Sequence, residues 1–128
     1  MQKNNSSVVY ADANIILRLI LNDVPEQSSY ATNLLKTNTV VLLPEVIAEI
    51  VYVLHGVYKT DRNTISKVLQ KILSVTLTDN AAVMNTALSF YGETNLDFVD
   101  CILAAYNKEL GITVETFDKK LNNFIKQI

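Results

Sequence analysis

The chain has 128 residues, 49% of them hydrophobic, and a formal net charge of −2, a length and apolar content that suit one domain with a real core. Its longest apolar runs, such as Val40 to Leu43 and Ile50 to Leu54, are far short of the roughly 20 residues that cross a bilayer, and no basic-then-apolar leader opens it. A soluble, cytoplasmic protein is expected. The charge excludes the general electrostatic grip of a strongly basic nucleic-acid binder, although acids gathered around cations would leave Lys and Arg to form a local phosphate-binding rim.

In chain order, Ser7 to Asp12 reads as a short β-rich strand ending on an acid. Asn14 to Asn22 then carries helical spacing through Ile15, Ile16, Leu19 and Ile20. Pro25 opens a second helix over Glu26 to Lys36. Thr39 to Leu43 is a buried-strand pattern halted by Pro44, which suits the first position of the next helix. That helix, Glu45 to Tyr58, places Val46, Ile47, Ile50, Val53, Leu54 and Val57 on one stripe. A further amphipathic helix, Arg62 to Leu73, follows a turn at Thr60 and Asp61, so the two are predicted to form a helical hairpin. Val75 to Leu77 is a short strand, Asn80 to Tyr91 a helix, and Phe98 to Leu110 a helix closed by Gly111 at its carboxyl cap. Ile112 to Phe117 alternates as a strand should, and Asp118 to Ile128 ends the chain as a helix.

Strands separated by helices predict an α/β fold, with a central parallel sheet covered by helices on both faces. No linker or internal repeat interrupts it. In such sheets ligands bind beyond the carboxyl ends of the strands, and Asp12 and Asp118 fall at two of these ends.

Each acid has a structural alternative. Asp12, Asp97 and Asp118 all stand just before a helix, where an aspartate serves as an amino-terminal cap. Asp97 and Asp100 are three apart, a spacing that resembles a capping arrangement and puts both side chains on one side of a first helical turn. Glu49 lies nearer its helix's apolar stripe than Glu45 and would line a cleft, yet the two, one turn apart, also fit a solvated face. As a set, Asp12, Glu49, Asp100 and Asp118 suggest more. Converging carboxylates repel one another unless a cation compensates, and oxygen donors select Mg²⁺ or Mn²⁺. The lone Cys101, among Val99, Ile102 and Leu103, reads as a buried structural thiol, and the only histidine, His55, sits in a packed helix.

Four stretches carry a resemblance: Tyr10-Ala-Asp-Ala-Asn14 with its apolar helix, Leu43 to Leu54, Leu96 to Ala105, and Thr113 to Lys119 with Leu121. In that order and spacing, and over nearly the whole chain, they resemble PIN-domain nucleases, more narrowly the VapC-type toxins of toxin–antitoxin pairs. The resemblance implies one PIN-like domain over residues 1–128 and a metal-dependent endoribonuclease that cleaves single-stranded or looped RNA. It implies Asp12, Glu49, Asp100 and Asp118 as catalytic, metal-holding acids, Asp97 as an accessory acid, and Asn14 and Thr116 as the polar residues that orient the first and last of them. It also implies Mg²⁺ or Mn²⁺, an antitoxin partner that occludes the site, and a homodimer. The family's fourth acid position varies, and Cys101 stands where a small alanine is usual.

Candidate RNA contacts are Lys119 first, then Arg18, Lys59, Arg62 and Lys120, each with plain solvation as its alternative. Tyr52, Tyr58 and Tyr106 are read as finishing a core, and no recognised base-stacking motif appears. A receiver domain would want neighbouring acids after its first strand, where Ala11 precedes Asp12, and an aspartyl phosphatase would want a second acid where Asn14 stands. A non-catalytic PIN-like module that binds RNA or protein remains the rival reading.

Overall fold

The computed structural model describes residues 7–128; the expected lack of a leader bears on residues 1–6, which lie outside the described residues. Two short strands, β1 (Val8–Tyr10) and β2 (Thr39–Val41), pair in parallel with Val8 opposite Thr39 and Tyr10 opposite Val41. Around them are α1 (Ala13–Leu21), α2 (Pro25–Thr37), α3 (Pro44–Gly56), α4 (Arg62–Leu73), α5 (Ala81–Glu93), α6 (Phe98–Leu110) and α7 (Lys119–Gln127).

Local chemistry accounts for most of the helix starts and for the end of α6. Pro25 and Pro44 occupy the first turns of α2 and α3, where a missing N–H costs nothing because no intrahelical acceptor exists there. Asp12, Asp61 and Asp118 accept from the backbone amides of Ile15, Thr64 and Leu121 at the starts of α1, α4 and α7. Gly111 closes α6 in the left-handed conformation, φ 67°, which glycine adopts without a Cβ penalty.

The α/β class takes a mostly helical form, with the expected central sheet smaller than its sequence pattern suggests. Val75 to Leu77 contributes one parallel bridge, Val41 to Leu77, secured by Leu42 N donating to Leu77 O at 2.8 Å and Leu77 N to Val40 O at 2.9 Å. Ile112 to Phe117, expected as a strand, forms none. Only Val114 of its apolar side chains packs against the core, while Ile112 and Phe117 are exposed. The Ile112 and Thr116 carbonyls accept from the side-chain amides of Asn107 and Asn122, so side chains stand in for a ladder. Asp118 therefore ends a coil.

Val40 and Leu42 lie at the centre of the core with Ile16, Ile47, Ile50, Leu54, Leu88, Phe98 and Leu121, all fully or almost fully buried. The expected hairpin of α3 and α4 is slight, because α4 packs mainly on α5, and α5 in turn on α6. Gly92 allows the first of these contacts: a Cβ there would meet the Ser66 Cβ at 2.9 Å. Arg62, at the start of α4, ties the next turn of chain in place. Its guanidinium lies 3.7 Å from the centre of the Tyr91 ring, and it donates from Nε to Tyr91 O at 2.9 Å and from a terminal nitrogen to Leu96 O. That grip fixes the loop from which Asp97 and α6 begin.

Candidate active site

Asp97, Asp100 and Asp118 are brought together at the amino-terminal ends of α6 and α7. Asp97 occupies the cap position of α6 but makes no side-chain capping bond, so the cap alternative for this acid is not realised. Asp100, in the first turn of α6, is held above the ordinary aspartate pKa. Partial burial is the main cause, followed by repulsion from Asp118 and Asp97, and the Lys120 charge opposes all three. Lys120 itself donates to Asn95 O at 3.2 Å, which anchors it beside the acids.

Asp118 serves two purposes locally. Its Oδ1 accepts from Leu121 N at 3.0 Å, leaving Oδ2 for a ligand, and its own amide donates to Thr116 Oγ1 at 3.0 Å. Thr116 thus orients the backbone of Asp118. Asp12 caps α1 in the same way, with Oδ1 accepting from Ile15 N at 3.2 Å. It stands just beyond β1 in a groove of about 480 Å³ that Tyr10, Asn14 and Tyr30 also line. Asn14, expected to orient Asp12, is an exposed wall of that groove.

Glu49 is exposed on α3, between the half-buried Ala48 and the buried Ile50. Neither Asp12 nor Glu49 is among the charges that shift Asp100. Among the described residues, no three histidine, cysteine, aspartate or glutamate side chains group closely enough to hold one metal ion. The donor chemistry still suits a hard divalent cation: carboxylates repelling one another at Asp100, with softer donors elsewhere. Cys101 is buried, its thiol pushed up to about 11 by that burial, and His55 Nδ1 lies 3.2 Å from Thr60 O.

Three of the cations considered for RNA contact, Arg18, Arg62 and Lys120, are engaged within the chain, Lys120 through the bond to Asn95 O given above. Arg18 forms a 2.8 Å ion pair with Asp23 through the same nitrogen that reaches both carboxylate oxygens, and its other terminal nitrogen donates to Tyr58 Oη at 3.4 Å. Arg62 is the structural tie described above. Lys119 is exposed next to Asp118. Beside it is a residue that sequence reasoning passed over, Phe117, whose side chain is fully exposed. Its place in an apparent strand gave no hint of that exposure.

Among the described residues no helix is long and apolar enough to cross a membrane. Searches among curated proteins and among solved structures each returned no significant match. The family profile of the PIN domain matches residues 9–126, spanning all of the acids above, and the chain belongs to the PIN-domain family, whose members are generally nucleases.

Proposed function

We propose that this chain is a metal-dependent endoribonuclease that cuts single-stranded or looped RNA, acting in the cytoplasm as the VapC-like toxin of a toxin–antitoxin pair. In this reading residues 1–128 form one nuclease domain that works as a homodimer and is silenced by a cognate antitoxin. The observation that carries the proposal is the gathering of Asp97, Asp100 and Asp118 at the heads of two helices in a PIN domain, close enough for the first and last to act on Asp100. Like charges held together in this way disfavour folding unless they gain something in function.

Asp12, Glu49, Asp100 and Asp118 would hold Mg²⁺ or Mn²⁺, with Asp97 accessory. When bound, such an ion neutralises the carboxylates and supplies Lewis-acid assistance to an in-line displacement at phosphorus. The chain's own residues have distinct tasks. Asp100 and Asp118 supply fixed negative charge, Thr116 sets the backbone of Asp118, Asn14 is proposed to orient Asp12, and Lys119 draws the RNA phosphates toward the acids. Arg18 could join Lys119 only by giving up Asp23.

A second reading, a PIN-like module that binds RNA or protein without cutting, is favoured by one observation: no three acids are grouped to hold an ion among the described residues. Incubating a mixed RNA pool with purified, antitoxin-free protein in Mg²⁺, Mn²⁺ or EDTA separates the two. Cleavage that needs the metal and vanishes in Asp12→Asn and Asp100→Asn is expected. Folded protein that binds RNA equally in EDTA and never cuts it would establish the binding module.

A further inference from the structure

Phe117 is 106% exposed, the most exposed large hydrophobic side chain among the described residues. A bare phenyl ring is costly to leave in water, and this one is not on a loose tip. The residues on either side of it are tied down: Asn122 Nδ2 donates to Thr116 O at 2.9 Å, and Thr116 Oγ1 accepts from Asp118 N at 3.0 Å. Asp118 in turn caps α7 through Leu121 N. The ring therefore projects from a braced backbone, one residue from a carboxylate that acts on Asp100.

We propose that Phe117 is a stacking platform for an unpaired base of the RNA, seating the nucleotide next to the phosphate held at the acids. The inference rests on the nuclease reading and adds a positioning residue to it. The neighbourhood favours a nucleic acid over a protein surface. Phe117 lies among Glu115, Thr116, Asp118, Lys119 and Lys120, so the ring has cations for phosphates on one side in sequence and no adjoining apolar run. A stable protein interface buries about 800 Å² on each partner, more than one ring provides. Stacking on an aromatic is tolerant of sequence and requires a single-stranded substrate. A braced platform also loses little conformational freedom on binding.

The chain contains no tryptophan, so Phe117→Trp introduces a unique fluorophore at the proposed contact. It would be titrated with a single-stranded RNA decamer in Ca²⁺, a hard cation that occupies carboxylate sites but replaces Mg²⁺ poorly in catalysis, in parallel with anisotropy of the labelled decamer for wild type, Phe117→Ala and Phe117→Leu. The proposal expects indole quenching that saturates at the same RNA concentration as the anisotropy. It also expects binding weakened about tenfold in both the Ala and Leu variants, since Leu keeps apolar area but cannot stack. In cleavage assays the same two variants raise KM more than they lower kcat. Circular dichroism and thermal melts should match wild type, because the side chain touches nothing that folding requires.

RNA binding without quenching, with Phe117→Ala as tight as wild type, would overturn the stacking role and leave the nuclease reading intact. A Phe117→Ala protein that binds RNA normally but sediments as a smaller species would assign the ring to a contact between protein copies, also overturning it. Failure of wild type both to bind and to cut RNA would remove the nuclease reading, and this inference with it.

Discussion

Asp12 and Asp118 are nearly interchangeable in local geometry: each is itself extended, caps a helix through Oδ1, and spans about the same distance, 3.2 and 3.0 Å, to the third amide onward. Their surroundings differ. Asp118 lies near Asp97, Asp100 and Lys120, and its charge is felt at Asp100. Asp12 opens on a groove lined by Tyr10, Tyr30, Asn14 and apolar side chains such as Ile15 and Leu34. The comparison teaches that the same capping bond occurs with and without an acid cluster nearby, so the cap alone says nothing about an aspartate's further role. On the proposed reading the carboxyl-terminal region supplies Asp100 and Asp118, and Asp12 and Glu49 complete the set.

Replacing acids by amides sharpens this contrast most. Asparagine caps as well as aspartate, so Asp12→Asn and Asp118→Asn should melt within a degree or two of wild type. Asp100→Asn is expected to lower RNA cleavage by about 10³-fold or more, comparable to losing a key electrostatic group in other active sites. Asp12→Asn should fall as far if the two regions do converge. A full-rate Asp12→Asn with a dead Asp100→Asn would confine the chemistry to the α6–α7 end.

Next in size is the scaffold under the acid trio. Arg62→Ala removes a ring contact and two hydrogen bonds to buried carbonyls, and a loss of about 2–3 kcal/mol is expected in urea melts. Smaller is Gly92→Ala. Its new Cβ would press on Ser66 at 2.9 Å, and the strain should outweigh the better helix propensity, leaving a net cost of about 1–2 kcal/mol. An unchanged or raised midpoint would mean that α4 and α5 separate easily.

How much of this was legible in the sequence depends on how local the cause is. Pro25, Pro44 and Gly111 mark helix ends through their own backbone limits, and the 3.6-residue periodicity of Ile47, Ile50 and Leu54 needs no partner to be read. The four acids could be named from spacing and resemblance. Ile112 to Phe117 misled because alternation reports a preference, whereas a strand also needs a neighbour, and here Asn107 and Asn122 take its carbonyls. Arg18 and Arg62 looked like free cations for the same reason: Asp23, Tyr91 and Leu96 become their partners only after folding.

The smallest effect expected is on the pH dependence of stability. Asp100 has a folded-state pKa raised above its ordinary value, so the folded state holds that proton more tightly than the unfolded chain. Its contribution is fully present below the ordinary aspartate pKa and is lost as pH rises from there through the raised value. Asp100→Asn should therefore be slightly more stable than wild type near neutrality, with the advantage fading in acid. The exposure of the group keeps the difference small.

The most direct test of the central claim is calorimetric titration of Mn²⁺ into the antitoxin-free protein, with Asp100→Asn alongside. The account expects saturable uptake by the wild type and an affinity at least tenfold lower in Asp100→Asn, with both proteins equally folded. No uptake by well-folded wild type, or equal uptake by the two, would mean that these carboxylates do not form a metal site.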